Sequence, residues 1–244
     1  MPTVNPDPAA RSELASAGKL RVGVNLGNFL LVSKDAATGE LRGVVPDLAQ
    51  ELARRLGATV QLVSYPGAGQ VADAAAAGAW DVGFIGAEPA RAAEIAFTVA
   101  YLEIPATYLV PAGSRIRSLA EVDRPGVRIA VAARSAYDLY LSRSLKHAQL
   151  VRAEGLPASF DLFVAEKLEV LAGLLPRLTT DVARLPGARI LDGRFTAVQQ
   201  AIGTPKARSA AAAYLSEFVA DIKASGLVAR LIERHGAKGV NVAP

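Results

Sequence analysis

The sequence predicts an α/β protein made of two similar cycles, and three observations carry that prediction. Short apolar runs recur at residues 20–24, 82–85 and 127–131, each stopped by a polar or small-residue turn, as expected of buried strands. Segments with helical spacing lie between them, so strand and helix alternate in the rhythm of a parallel sheet with crossover connections. The rhythm restarts after Pro111 with no low-complexity linker, which favours two compact lobes over one long sheet. A ligand is then expected in the cleft between the lobes.

Taken in order, residues 20–24 (LRVGV) read as a first strand ending at the polar turn Asn25-Leu26-Gly27-Asn28, and a connection follows over 36–43. Pro46, Asp47 and the apolar set Leu48, Leu52 and Leu56 describe an amphipathic helix that Gly57 stops. Residues 58–63 read as a second strand, 71–78 as an alanine-rich helix and 82–85 as a buried strand, with Trp80 a core residue at the joint. In the second cycle, 119–122 is a short helix and 127–131 a strand ending in Ala132, Ala133, Arg134 and Ser135. A helix over 137–145 begins just after Ser135. Residues 150–152 read as a strand, 160–164 as a buried strand ending at Ala165 and Glu166, and 168–175 as a helix. Residues 190–191 and 197–202 are extended. The tail holds a long helix over 209–226, with Leu215, Phe218, Val219 and Ile222 on one face and Ser209 as its N-cap. A last amphipathic helix carries Leu227, Leu231 and Ile232.

Composition removes several function classes. Apolar residues make up 51% of the 244, which excludes a disordered chain, and no apolar run approaches the ~18 residues of a membrane helix. The net charge is +4 and the pI about 9.5, but Lys and Arg are scattered, so neither nucleic-acid binding nor membrane insertion is expected. Without cysteine there is no disulfide, thiolate metal site or cysteine nucleophile. His147 and His235 are far apart, read as surface residues and offer no metal-ligand spacing or Ser/His/Asp order. Gly23–Gly27 lacks the GxGxxG spacing. No metal or cofactor is expected. Residues 1–20 have no basic segment leading into an apolar one, so no secretory signal is expected in them, and a cytoplasmic location stays open.

The most informative single residue is Arg91. It follows Gly86, Ala87, Glu88 and Pro89, which end the buried run of Val82, Phe84 and Ile85. A guanidinium at the carboxyl end of a buried strand can grip a carboxylate or phosphate with two parallel hydrogen bonds. Spacing alone leaves a second reading open, in which Arg91 is a surface residue paired with Glu88 or Glu94.

An ordered set of segments then resembles the bacterial family 3 solute-binding proteins, the amino-acid receptors of ABC importers. The set runs from Leu20-Arg-Val-Gly-Val through Gly39-Glu-Leu-Arg-Gly-Val-Val-Pro-Asp-Leu-Ala, Leu56-Gly57 and Gly78-Ala-Trp-Asp81. It continues with Arg91, Phe97-Thr98 and Tyr101 and closes at Pro205-Lys206, spanning about residues 18–235. The resemblance implies a type II periplasmic-binding-protein-like fold with the second lobe inserted into the first. Lobe 1 would be residues 1–102 and 203–244 and lobe 2 residues 103–202, with two hinge strands near 101–105 and 198–202. It implies a periplasmic, monomeric protein that closes around a small carboxylate-bearing molecule, an amino acid or related organic acid, and feeds an ABC importer permease.

By the same resemblance, Arg91 binds the ligand carboxylate. Ser135 adds its hydroxyl and backbone N–H at a helix start, where anions are favoured. Glu166 stands where an acidic residue, usually Asp, receives the ligand ammonium. Arg134, where a Gly is usual, adds a second cation. Asn25, Asn28 and Phe29 on the first loop, with Gly86, Tyr101 and Tyr137, complete the expected ligand-binding set. Several positions depart from the family pattern: Gly86 replaces a Thr, Ala68 a stacking aromatic and Ala96 an Asp, while Asn25 and Asn28 replace acidic and aromatic residues. They weaken the case for an ordinary α-amino acid more than for a carboxylate. A second reading is an enzyme resembling the cyclohexadienyl or arogenate dehydratases, with a buried Glu166 as general acid. A third is a cytoplasmic signalling or partner-binding role.

Overall fold

The computed structural model describes residues 6–244; the first five residues, part of the expected lobe 1 and of the stretch without a secretory signal, lie outside the described residues. The chain divides into two compact units, Met1–Glu103 with Gln199–Pro244 and Ile104–Val198.

Unit 1 begins with helix α1 (Pro8–Ala15), whose first turn is capped by the Asp7 carboxylate accepting from the Ala10 amide at 2.6 Å. Strand β1 (Lys19–Asn25) follows, then a small hairpin of β2 (Ser33–Lys34) and β3 (Leu41–Arg42). Helix α2 (Val44–Leu56) is the amphipathic segment read from the sequence, closed by Gly57 in the left-handed conformation. It starts after Gly43, where φ is 137° and a Cβ would fall on the Leu31 carbonyl, so only glycine fits. Then come β4 (Thr59–Tyr65), α3 (Ala68–Ala76), β5 (Val82–Gly86) and β6 (Ile95–Phe97). Trp80 is the core residue its position suggested: it is fully buried and donates its indole N–H to the Val71 carbonyl at 2.9 Å.

Strand β7 (Leu102–Val110) carries the chain into unit 2. There a 3-10 turn (Leu119–Glu121) precedes β8 (Arg128–Ala132), α4 (Ala136–Ser144), β9 (Gln149–Ala153) and α5 (Gly155–Ala165). Strand β10 (Val170–Leu174), α6 (Leu175–Val182) and β11 (Arg189–Ile190) complete it. Within unit 2 the strand order is β7-β10-β8-β9, with β10, β8 and β9 parallel, β7 antiparallel to β10, and β11 antiparallel on β7.

Here the sequence reading needs correction. Residues 160–164 form helix, not strand, and 168–175 contain a strand before α6 rather than one helix. The reason is visible in burial. Phe160 and Phe163 are buried three residues apart while Val164 is exposed, which is helical spacing, whereas all five residues of β10 are buried. Short apolar runs look alike until burial separates them.

Strand β12 (Thr196–Pro205) returns the chain to unit 1, where α7 (Ser209–Ala224), α8 (Leu227–Arg234) and β13 (Asn241–Val242) end the fold. The unit 1 sheet places parallel β4, β1 and β5 side by side. Strand β12 is antiparallel to β5, setting Gln200 opposite Gly86, and β6 and β13 pair β12 and β7. The expected Ser209 cap is absent. Arg208 holds the cap position but its side chain does not cap the helix, and Glu13 of α1 accepts from the Ala211 amide at 2.8 Å instead. His235 is also less exposed than expected, because its Nε2 lies 2.9 Å from the Asp47 carboxylate.

Asp81 ties these pieces together. Its carboxylate accepts from the Arg21 amide at 2.9 Å, from Arg21 Nε and Nη2 at 3.1 and 2.7 Å, and from Arg208 Nη1 at 2.8 Å. Its carbonyl accepts from the Thr204 hydroxyl at 2.9 Å. Burial alone would raise the Asp81 carboxyl, but the Arg21 and Arg208 hydrogen bonds outweigh it and hold it below the usual carboxylate range. The native form therefore binds this proton less readily than the unfolded chain. Its stabilisation is complete above about pH 4 and fades as the pH falls through the depressed native value. Asp81→Ala should lower unfolding free energy by about 1–3 kcal/mol at pH 7, because it takes the shared carboxylate from two half-buried arginines and from the Arg21 amide. Urea melts at pH 7 and pH 3 check this: the gap between wild type and variant should narrow at the lower pH.

Candidate functional site

In unit 1 the buried strand β5 delivers the chain to a tight turn, in which the Arg91 amide donates to the Glu88 carbonyl at 2.9 Å. Arg91 is 6% exposed, and its Nη1 donates to the Gly86 carbonyl at 2.6 Å. The guanidinium is thus held against the end of its own strand. Its burial differs from the surface position, paired with Glu88 or Glu94, that spacing left open. Of the expected residues, the structure brings Gly86 and Arg91 into direct contact.

On the loop after β1, Asn25 Oδ1 accepts from the Gly27 amide at 2.9 Å, so this side chain serves a local turn. Asn28 is different. It is 7% exposed, and its Oδ1 has no hydrogen-bond partner among the described residues. A buried acceptor left unpaired costs about 1–3 kcal/mol, which a donor arriving from outside would recover. Beside it, Phe29 is one of the few large apolar side chains exposed to solvent. Tyr101 belongs instead to the core of unit 1. It is fully buried, edge-on to Phe84 with ring centres 5.9 Å apart, and burial drives its hydroxyl pKa far up. Its hydroxyl, like Asn28 Oδ1, has no hydrogen-bond partner among the described residues.

In unit 2 the start of α4 gathers three expected residues. Ser135 is the N-cap, its Oγ accepting from the Asp138 amide at 3.1 Å. The hydroxyl proton can still be donated outward. The Asp138 carboxylate reaches back to accept from the Arg134 amide at 2.7 Å and from Arg152 Nε at 3.0 and 3.2 Å. Arg134 itself is exposed and adopts φ 58°, a left-handed conformation rare for a side chain with a Cβ. Tyr137 packs inward, and burial raises its hydroxyl pKa, with Ser135 pulling the other way. Like Tyr101 it is a core residue. Asp138 is the residue sequence reasoning missed. The Ser135-Ala136-Tyr137-Asp138 spacing, a capping box with Asp in place of Glu, was the signal that could have found it.

Glu166 requires the main correction at the site. It is the C-cap of α5, exposed to solvent, rather than the end of a buried strand. The strand end is Leu174, followed by Leu175 and Pro176, with no acidic side chain. Glu166 therefore lacks the burial that made it a candidate general acid.

Among the described residues no group of His, Cys, Asp and Glu is arranged to hold a metal ion, and no helix is long and apolar enough to cross a membrane. The profile of the bacterial extracellular solute-binding proteins, family 3, matches residues 20–238. The chain belongs to this family. Solved structures agree on the fold. A mutant of ArgBP from T. maritima shares 22% identity over 94% of this chain and 100% of that one, with a TM-score of 0.76. The ancestral amino acid-binding protein AncCDT-1, described as a precursor of cyclohexadienyl dehydratase, shares 21% identity over 92% and 98%, with a TM-score of 0.75. A putative ABC transporter binding component from Wolinella succinogenes, complexed with lysine, shares 22% over 89% and 95%, also at 0.75. No curated protein matches. The fold is thus the two-lobed α/β fold of type II periplasmic binding proteins.

The geometry at α4 generates a prediction. Asp138→Ala removes the acceptor that holds the Arg134 amide and the partner of the half-exposed Arg152, and should destabilise the protein by about 1–3 kcal/mol. Chemical denaturation would measure the loss.

Proposed function

We propose that this family 3 member is the receptor of an ABC importer for a small organic acid. Its carboxylate would be held by Arg91 and by the first turn of α4, where Ser135 and Arg134 add a hydroxyl and a second cation. Two observations support the reading, one in each unit: a buried guanidinium held against the end of β5, and a capped helix start that bears Arg134 in a strained conformation. A left-handed arginine costs about 1 kcal/mol relative to glycine, a cost more readily retained where the charge is used. The reading gives the ligand no required ammonium group, because β10 ends on Leu174, Leu175 and Pro176 and Glu166 is exposed on a different element. In this it differs from the lysine-complexed W. succinogenes protein and from ArgBP of T. maritima, whose arginine-bound form is known. Asn28, with its buried unpaired acceptor, would take a hydroxyl or amide donor of the ligand.

A thermal-shift screen of mono- and dicarboxylic acids against the standard amino acids tests the proposal. A ligand at a hundred times its Kd adds about 2.7 kcal/mol, equivalent to a rise of about 5–10 °C for a chain of this size. Carboxylic acids lacking an amine should give the largest shifts. Arg91→Lys keeps the charge but loses the two-pronged grip, and should reduce the shift by at least half. Arg134→Gly should raise the melting temperature of the free protein and shrink the ligand shift. A largest shift from arginine or lysine, or one indifferent to both substitutions, would overturn the reading.

A further inference from the structure

Besides Arg134, one other described residue with a side chain has positive φ: Lys167, at 49°. It occupies the position after the C-cap of α5, where glycine is favoured. Its amide donates to the Val164 carbonyl at 3.3 Å, and that of Leu168 to the Phe163 carbonyl at 3.1 Å, the paired bonds of a Schellman turn. This turn closes one end of a groove of about 300 Å³ whose lining lies entirely in unit 2. The lining is apolar apart from Lys167: Phe163, Val164 and Leu168 from α5 and its end, Pro111 after β7, and Leu185 and Pro186 after α6. Val164 is 43% exposed, while its chain neighbour Phe163 belongs to a buried apolar cluster of this unit. Among the described residues no carboxylate pairs with the Lys167 ammonium.

We propose that this groove is a second binding site, separate from the Arg91 site, for a small acid with an apolar chain or ring. The apolar walls would take the hydrocarbon and Lys167 the carboxylate. The volume stands at the lower end of small-molecule sites, and an apolar pocket with one polar anchor is the usual composition of such a site. The charge complements an anion, and the strained backbone fixes the lysine at the rim of the groove instead of the glycine that the turn itself would favour. No residue of the groove is shared with Arg91, Asn28 or the start of α4.

The test uses the full chain with octanoate as probe, followed by calorimetry and by amide hydrogen exchange. Octanoate should bind at one site and slow exchange at residues 163–168 and 185–188. Hexanoate should bind more weakly, by up to about fourfold for each methylene removed. Octan-1-ol, which lacks the charge, should bind about threefold or more weakly than octanoate. Lys167→Gly should raise the melting temperature by a few degrees while weakening octanoate, and Val164→Glu should abolish its binding without unfolding the protein, because the side chain is exposed. Protection at residues 86–91 or 134–138 instead would overturn the proposal. So would equal affinity for octan-1-ol and octanoate, or octanoate affinity unchanged by Lys167→Gly. The Arg91 reading stands or falls separately, on the short-chain acids and on Arg91→Lys.

Discussion

The structure of unit 1 depends on one buried carboxylate. The chain leaves this unit after Glu103 and re-enters it at Gln199, so two stretches distant in sequence are held together by non-covalent contacts within the unit. Asp81 joins them, binding Arg21 of β1 on one side and Arg208, just before α7, on the other, while Thr204 of β12 donates to its carbonyl. Arg208 also donates to the Glu13 carbonyl at 2.8 Å, which brings α1 into the same network. The consequence reaches the candidate site directly. Strand β5 starts one residue after Asp81 and ends at Gly86, whose neighbour on β12 is Gln200, and the Gly86 carbonyl is the acceptor that fixes Arg91. A strand anchored at both ends gives the guanidinium a defined position, as a two-pronged grip on a carboxylate demands.

Unit 2 answers a different physical problem, the placing of positive charge near helix ends that do not all favour it. The start of α4 attracts anions through its unpaired amides, but Asp138 in the first turn brings a negative charge of its own. Arg152 pairs with that carboxylate, and Arg134 is fastened beside it through its backbone amide. The exposed Arg134 side chain thus sits beside the first turn of the helix. At the other end of the unit, Lys167 holds the glycine-like position after α5 without a carboxylate partner among the described residues. Both residues accept a backbone cost where glycine would be cheaper, and both lie beside features suited to anions.

Much of this was legible in the sequence, and the failures have identifiable causes. Strand β1, helix α2 with its Gly57 stop, strand β5 and helix α4 beginning after Ser135 follow from apolar period and capping residues. Residues 160–175 were not legible, because Phe160, Leu162 and Val164 alternate as convincingly as Phe160 and Phe163 repeat at helical spacing. That slip carried Glu166 to a strand end it does not occupy. Arg91 was identified as important, but its burial against Gly86 depends on how the turn folds back, which no local pattern encodes. Asp138 gained significance only from burial and from a long-range partner, Arg152. The N-terminus of α7 shows the same limit, since its cap comes from Glu13 at the opposite end of the chain.

The central claim is that the site recognises a carboxylate and does not require an amine. Glutarate and glutamate carry the same two carboxylates on the same five-carbon chain and differ in the α-ammonium alone. Isothermal titration of both against the wild-type chain at one pH and salt concentration compares them directly. The account predicts that glutarate binds at least as tightly as glutamate. A glutamate affinity tenfold or more above that of glutarate, about 1.4 kcal/mol of ammonium recognition, would contradict it.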